Sequence, residues 1–338
     1  MTEPALHSPR GVVAFAPASI GNLAAGFDLL GAALAPLDGS LLGDRVHLVP
    51  AEADSFHIEG SCASELASET RPNLVLQALA LFREALSQRG FELGPLSLTL
   101  HKQLPVSSGL GSSASSIVAT LAGLQALTGD PLSTAELLEL AGRAEGACSG
   151  GTHLDNVAPS LLGGLQLVVP GREGHAATRR LPWPADLLFV VVHPQFQLAT
   201  ADSRRALPER PEWKTTVEYA GNLAGLVTAL HTGDRALLAR CLRDPLVEAH
   251  RAPLVPGFRA AQHAAMEVGA LGCSLSGSGP SIFAVAEDEG QASALARAIQ
   301  AAFLAADLRS ESWICLLDPD GARSLSPGAR TPSREAHP

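Results

Sequence analysis

The chain has 338 residues, 46% of them hydrophobic, with 24 basic against 34 acidic side chains and a formal net charge of −10. That apolar share is ample for one large packed domain or two ordinary ones without disulfides, and the acidic balance argues against nucleic acid or an anionic membrane surface as a partner. No apolar run of about 18 residues occurs, so no membrane span is expected, and no basic stretch followed by an apolar core marks a signal peptide. Five scattered cysteines (Cys62, Cys148, Cys241, Cys273, Cys315), without C-x-x-C spacing, read as reduced thiols of a cytoplasmic protein.

Residues 1–10 read as a loose arm. Val12 to Ala16 predicts a first strand, and Pro17 to Gly31 a loop with glycines on both sides of Asn22. Val46 to Val49 and Phe56 to Ile58 read as short strands. Pro72 opens a helix with Leu74, Val75, Ala78, Leu79, Phe82 and Leu86 on one face and Gly90 as its C-cap. Leu96 to Leu100 alternates apolar with polar, the period of a half-buried strand. A loop rich in glycine and serine follows, Leu104 to Ala114, and then Ile117, Val118, Leu121, Leu124, Ala126 and Leu127 recur at helical spacing up to Gly129-Asp130-Pro131.

Strand, glycine-serine loop and helix make an anion cradle: glycines let successive N–H groups converge, and the helix N-terminus adds partial positive charge. Triphosphate is the anion this reading favours. No G-x-x-x-x-G-K-[ST] is present, so the loop is not a Walker A loop. Gly109-Leu110-Gly111 with Ala114 fits the dinucleotide pattern G-x-G-x-x-A, but the acid that pattern wants about 20 residues on, Asp130, sits in a turn between two helical segments. Taken alone, the loop reads equally as an ordinary turn with a serine N-cap.

Ser133 to Glu136 has capping-box spacing, and its helix ends near Glu145-Gly146. His153 to Pro159 lies between glycine pairs as a turn or short helix. Leu165 to Val169 is a strand, and Pro170 to Gly174 a turn that could divide two domains. Leu187 to His193 reads as a buried strand. Thr216 to Leu230, Arg235 to Leu242 and Gly257 to Val268 read as helices. Cys273 to Leu275 and Ile282 to Val285 are strands, a helix spans Gln291 to Ala305, and Ser312 to Leu317 closes the fold as a strand. From Ser324 to Pro338 the composition predicts disorder. Mixed elements in both halves predict two α+β domains sharing a cleft.

Three stretches in this order carry a family resemblance: Pro17-Ala18-Ser19-Ile20-Gly21-Asn22-Leu23-Ala24-Ala25-Gly26-Phe27-Asp28-Leu29-Leu30-Gly31, Pro105 to Ala114, and Leu275-Ser276-Gly277-Ser278-Gly279-Pro280-Ser281. Together they resemble the motifs of the GHMP kinases, which include galactokinases, mevalonate kinases and homoserine kinases. Asn22 to Asp28, His153 to Pro159 and Leu254 to Phe258 are most similar to the homoserine kinase branch. The resemblance covers about residues 11 to 325. It implies a ribosomal-protein-S5-like N-terminal domain over 11–170, a ferredoxin-like C-terminal domain over 171–323, a tail over 324–338, and a homodimer. It implies ATP and Mg²⁺, and phosphorylation of the side-chain hydroxyl of L-homoserine, a step towards threonine.

The resemblance also implies site residues. Pro105, Ser107, Ser108, Gly109, Leu110, Gly111, Ser112, Ser113 and Ala114 would hold the nucleotide, and Ser113 with Glu145 the metal. Asn22, Asp28, His153, Asp155, Asn156, Arg204, Arg251, Gly277 and Ser278 would hold the acceptor, with Asn22, Asp28, Asn156 and Arg251 nearest the chemistry. On the residues alone Glu145 reads as a solvated helix-end glutamate, Arg204 as a surface ion pair and His153 as structural. Asp155 reads either as a base or as the partner of the substrate ammonium, and the second is favoured, because a loose phosphoryl-transfer transition state needs positioning more than early deprotonation. Ala24-Ala25 departs from the Gly-Pro or Gly-Val of many relatives. A mevalonate- or sugar-type kinase and a silent nucleotide-binding regulator are the competing readings.

Overall fold

The computed structural model describes residues 11–67, 73–149, 153–171 and 176–325. The expected N-terminal arm, Pro72, most of the turn after Pro170 and the tail beyond Leu325 lie outside them.

Strands β1 (Val12–Pro17), β4 (Gly43–Pro50), β5 (Ser55–Glu59), β6 (Leu96–His101) and β13 (Arg323–Leu325) form a sheet in the order β13-β1-β4-β6-β5, antiparallel except for the β5–β6 pair. Residues 324 and 325, expected to be disordered, are the end of β13. Their backbone pairs with the otherwise open edge of β1. The register sets Val46 against Leu100 and Leu48 against Leu98, so the inward face is continuously aliphatic. Helices α2 (Leu74–Ser87), α3 (Ser112–Thr128) and α4 (Thr134–Ser149) cover it through Phe82, Ile117, Leu121, Leu124 and Ala141. Helix α3 is buried on nearly all sides, its serines and threonines included.

Local chemistry explains the helix ends. Asn73 caps α2 by accepting from Val75 N at 2.9 Å. That helix closes at Gln88 rather than Gly90, which lies two residues beyond with φ +80°. The Ser133–Glu136 box forms, with Ser133 N donating to Glu136 Oε2 at 2.8 Å. Its helix, α4, runs on past Gly146 to Ser149. One interior glycine costs about 1 kcal/mol, too little to stop a packed helix. Glu145 is therefore inside a helix and not at its solvated end.

The second sheet holds β2 (Ser19–Gly21), β3 (Leu30–Pro36), β7 (Leu165–Val169), β8 (Ala177–Leu181), β9 (Leu188–Pro194), β10 (Gly272–Leu275), β11 (Ile282–Ala286) and β12 (Ser310–Leu317). Its order is β10-β11-β9-β12-β3-β7-β8, with β2 on β3. The stretch from Pro17 to Gly31, expected as loop throughout, contains β2 and the start of β3. Its glycines hide a strand that exists by pairing, since Ser19, Ile20 and Gly21 face Ala33, Ala32 and Gly31. In β9 and β11 both faces are apolar. Phe189, Val191, Phe283 and Val285 meet α7 (Trp213–Thr232) and α8 (Arg235–Cys241), while Val190, Val192, Ile282 and Ala284 meet α10 (Phe258–Glu267) and α11 (Glu289–Leu304). A sheet covered on both sides needs such unbroken runs.

Four short helices complete the chain: α1 (Ala63–Ala67), α5 (Val157–Leu162), α6 (Thr200–Arg205) and α9 (Val247–Arg251). Both sequence halves contribute to the second sheet, and the arrangement is α+β. Cys62, Cys241, Cys273 and Cys315 are free and buried. Among the described residues no helix is long and apolar enough to cross a membrane.

Candidate active site

The N-terminus of α3 opens into a cleft where the loop before α3, the β2–β3 segment, Glu145 of α4, the stretch His153 to Asn156 before α5, α6, α9 and the β10–β11 turn converge. Gly111 is the residue that admits the loop here. It has φ +65°, and a Cβ on it would strike Ser19 Oγ and crowd Asn156. Ser112 and Ser113 both line the cleft, and the Ser112 hydroxyl donates inward to Leu104 O at 3.2 Å. Neither serine caps α3, whose N-cap is Gly111 itself. Ser107, Ser108, Gly109, Gly111 and Ala114 also line the cleft. Pro105 and Leu110 do not: Leu110 is fully buried in the core, and its carbonyl accepts from Ser19 N at 3.1 Å.

Beneath the loop lies a network that the sequence reading missed. Lys102 is 2% exposed and Asp44 fully buried, and Lys102 Nζ donates to Asp44 Oδ2 at 2.5 Å, to Ser112 O at 2.9 Å and to Ser116 Oγ at 3.0 Å. Asp44 Oδ1 accepts from Gln103 N at 2.9 Å and Leu104 N at 3.1 Å. The pair thereby ties the end of β6 to the first turn of α3. A signal was present. Lys102 extends the inward series Leu96, Leu98, Leu100 by one step, and Asp44 does the same for Val46 and Leu48, so register places an acid opposite a lysine.

The opposite side of the cleft is assembled from distant segments. Asn22 Nδ2 and Arg251 Nη1 both donate to Gly277 O, each at 2.9 Å, and Gly277 N donates to Gly21 O at 3.0 Å. Asn22 Oδ1 accepts from Asp28 N at 3.2 Å. Arg204 meets Asp28 in a fork, Nη2–Oδ1 2.8 Å and Nη1–Oδ2 3.2 Å, and its Nε is buried with no partner among the described residues. Phe27 lies under both guanidiniums, with Arg204 Cζ 5.3 Å and Arg251 Cζ 5.0 Å from its centroid. The Phe27 N–H donates to Tyr219 Oη at 2.6 Å. Ser203 Oγ donates to Ser278 O at 2.8 Å, which seats α6 on the third motif. Asn156 Oδ1 accepts from Ser19 Oγ at 2.9 Å, so Asn156 braces the wall behind Gly111. The helices α6 and α9, which carry the two arginines, were not expected from sequence. Each is five or six residues long, below the length at which periodicity speaks.

Asn22, Leu23 and Ala24 all have positive φ, at 69°, 38° and 63°, as does Asp28 at 59°. Such residues cost of order 1–3 kcal/mol each and persist only where the surroundings impose them. Here Leu23 and Ala24 are buried, and Gly26 N donates to Asn22 O at 2.8 Å.

The electrostatics form a row. Burial, with the Asp155 charge beside it, pushes the Glu145 carboxyl up to about 7. Burial, then the Asp28 charge, pushes Asp155 up to about 7 as well. Burial holds His153 below its ordinary value, and its Nδ1 lies 3.5 Å from Asp28 Oδ2. Burial and the neighbouring Arg204 bring Arg251 down to about 10, still cationic at neutral pH. A second pocket of ≈ 250 Å³, lined by Phe56, Ile58, Leu66, Val75 and Leu100, shares Ser112 and Ser113 with the cleft.

This architecture has known counterparts. The family model described as the GHMP kinases N terminal domain matches residues 73–164, and the one described as GHMP kinases C terminal matches residues 226–305. A solved homoserine kinase from Cytophaga hutchinsonii is 33% identical, with 94% of this chain and 98% of that one covered and a TM-score of 0.85. A mevalonate kinase from L. major, solved with R-mevalonate, is 18% identical over 98% of this chain and 100% of its own, with a TM-score of 0.66. A Lactococcus lactis galactokinase, solved with galactose, is 15% identical over 93% and 95%, with the same TM-score of 0.66. The last two share the fold. With two family models matched in order, and a third of residues identical to a homoserine kinase over almost its whole length, this chain belongs to the GHMP kinases, a family of small-molecule phosphotransferases.

Proposed function

We propose that this protein transfers the γ-phosphoryl group of ATP to the side-chain hydroxyl of L-homoserine, giving O-phospho-L-homoserine and ADP. What carries the reading is the row Asp28–Asp155–Glu145, in which each buried or half-buried acid feels the next. Arg204 already serves Asp28, which leaves Asp155 and Glu145 as the two acids whose ionised forms call for a cation. At the loop end, the Ser113 hydroxyl and the Glu145 carboxylate are hard oxygen donors of the kind that suits Mg²⁺. Bound there, the ion would neutralise phosphate charge. At the other end, the α-ammonium of an amino acid fits between Asp28 and Asp155. Its α-carboxylate goes to Arg251, whose Nη2 has no hydrogen-bond partner among the described residues. Mevalonate brings no cation to that end, and a sugar brings no charge at all.

In this reading the chain's own groups position and neutralise. The loop N–H groups and the α3 N-terminus take the phosphates, the apolar second pocket takes the adenine ring, and Asn22 directs the acceptor hydroxyl. Asn156 keeps the loop wall in place. Asp155 serves the ammonium, and no side chain is assigned as an early base. The same proposal divides the chain near residue 170 into a nucleotide-holding part, 11–170, and a part supplying the arginines, 171–323, and sets it in the cytoplasm as a homodimer on the route to threonine.

ADP release measured with L-homoserine, R-mevalonate and D-galactose at fixed ATP and Mg²⁺ tests it. L-Homoserine is expected to exceed both by about a hundredfold or more in kcat/KM, since buried charges left unpaired reject the wrong acceptor. Faster turnover of mevalonate or galactose overturns the substrate assignment. Tight ATP binding without ADP release from any acceptor favours the silent regulator.

A further inference from the structure

The cleft holds two guanidiniums side by side, and the side chain between them is not charged. Arg204 and Arg251 are close enough that one lowers the pKa of the other. Phe27 lies under both, with the two Cζ atoms 5.3 Å and 5.0 Å from its centroid. An aromatic face attracts each cation and gives the pair a common seat. The position of that ring is set by the Phe27 backbone, in a segment where Asn22, Leu23, Ala24 and Asp28 are all left-handed. The Phe27 amide finds its acceptor in the hydroxyl of Tyr219, 2.6 Å away, on a helix 192 positions further along the chain. Tyr219 is the single tyrosine of the protein. Burial keeps its phenol neutral well above the usual range, so the acceptor of that amide is an uncharged hydroxyl at any working pH.

We infer that Tyr219 is a positioning residue for the acceptor-carboxylate site: its hydroxyl fixes the Phe27 backbone, and the Phe27 ring sets the spacing of Arg204 and Arg251. Neither side chain is asked to touch the reacting atoms. Their influence runs through Arg251, and so rests on the reading that Arg251 meets the acceptor's carboxylate. Removing the hydroxyl frees the strained Phe27–Asp28 segment to shift, and the guanidiniums move with it. The phosphate loop, anchored separately by Lys102 and Asp44, is unaffected.

The test uses the full chain, with Tyr219→Phe, Phe27→Leu and the ring-retaining Phe27→Tyr. Steady-state kinetics are run against ATP, L-homoserine and 3-amino-1-propanol, which is homoserine without its carboxylate. For Tyr219→Phe, KM for L-homoserine is expected to rise about fivefold, the worth of one neutral hydrogen bond, with kcat and the KM for ATP within about twofold of the parent. Phe27→Leu should raise KM for L-homoserine further, Phe27→Tyr should restore most of it, and 3-amino-1-propanol should be turned over alike by all. An unchanged KM for L-homoserine in Tyr219→Phe overturns the inference, as does an equal rise in both substrates' KM, which would mark general loosening. If the parent protein turns over 3-amino-1-propanol as well as L-homoserine, the carboxylate reading itself falls, whatever the variants do.

Discussion

The two walls of the cleft are built on opposite plans. The proposed phosphate wall is one continuous stretch, Ser107 to Ala114, whose working groups are backbone amides and which rests on the buried Lys102–Asp44 pair with further bonds from Ser276 and Ser281. The proposed acceptor wall is five segments, held mainly by side chains: Arg204 on Asp28, Arg251 and Asn22 on one carbonyl, Phe27 under both arginines. The first wall is preorganised by backbone geometry and should resist change at its lining side chains. The second depends on the relative placement of segments and should respond to substitutions well away from the reacting atoms.

The largest effect should come from breaking the support of the first wall. Lys102→Met leaves Asp44 buried without its cation, a loss of about 3–5 kcal/mol of stability. Urea denaturation would show it as a lowered midpoint; a midpoint within error of the parent would mean that the pair contributes nothing net. Next is Glu145→Gln, which removes one charge from the proposed metal shell and should lower kcat by about a hundredfold or more while leaving the fold intact. Near-parental turnover at saturating Mg²⁺ removes Glu145 from the site.

A pH series sharpens the same point. Asp155 titrates near 7 in the folded chain, above its ordinary value. A carboxyl whose folded pKa is raised contributes stability below its unfolded pKa, and that contribution is lost as pH rises through the folded one. Without divalent ions, stability should therefore fall from about pH 4 to about pH 7, on the order of 2 kcal/mol or more. Glu145, also raised to about 7, contributes over the same window, so Asp155→Asn should lessen the slope of Tm against pH, and an identical slope in parent and variant excludes Asp155 as a source.

On the acceptor wall, Arg251→Leu keeps apolar bulk and loses the fork. A hydrogen bond to a charged group is worth about 1.5–3 kcal/mol, so kcat/KM for L-homoserine should drop about ten- to a hundredfold, with KM for ATP little changed. Retained preference for L-homoserine over 3-amino-1-propanol in that variant would show that the carboxylate binds elsewhere. The smallest effect expected is a gain. Ala24 is left-handed at φ 63°. Ala24→Gly relieves about 1–2 kcal/mol of strain against about 0.5–1 kcal/mol of added chain entropy, a net stabilisation of roughly 0.5–1 kcal/mol. A lower Tm in that variant would mean that the methyl group's burial outweighs the strain.

The same contrast governs what could be read from sequence. The strand, loop and helix around Ser107 to Ala114 were legible because a contiguous motif needs no knowledge of topology: alternation, glycines and a helical period follow one another along the chain. Elements with strong periodicity, such as β9 and α11, were legible for the same reason. Most acceptor residues were reached only through family resemblance, since nothing local says that Arg204 and Arg251 face Asp28. Tyr219 was missed because its helix carries many exposed residues and its partner is a backbone amide, which leaves no mark in the sequence of the Phe27 loop. Lys102 and Asp44 could have been found, by extending two inward registers one step beyond the aliphatic run.

The Gly277 carbonyl, which accepts from both Asn22 and Arg251, has a consequence for how the site can be probed. A main-chain oxygen is outside the reach of codon changes, so neither evolution nor a mutant library can tune this acceptor directly. They can only alter its two donors, and each such change disturbs something else. Chemical synthesis can reach it. Replacing the Ser278 residue by its α-hydroxy acid turns the 277–278 amide into an ester, whose carbonyl is a weaker acceptor. Both donors remain in place. The join between the first and third motifs would then weaken at one atom, with every side chain of the cleft unaltered.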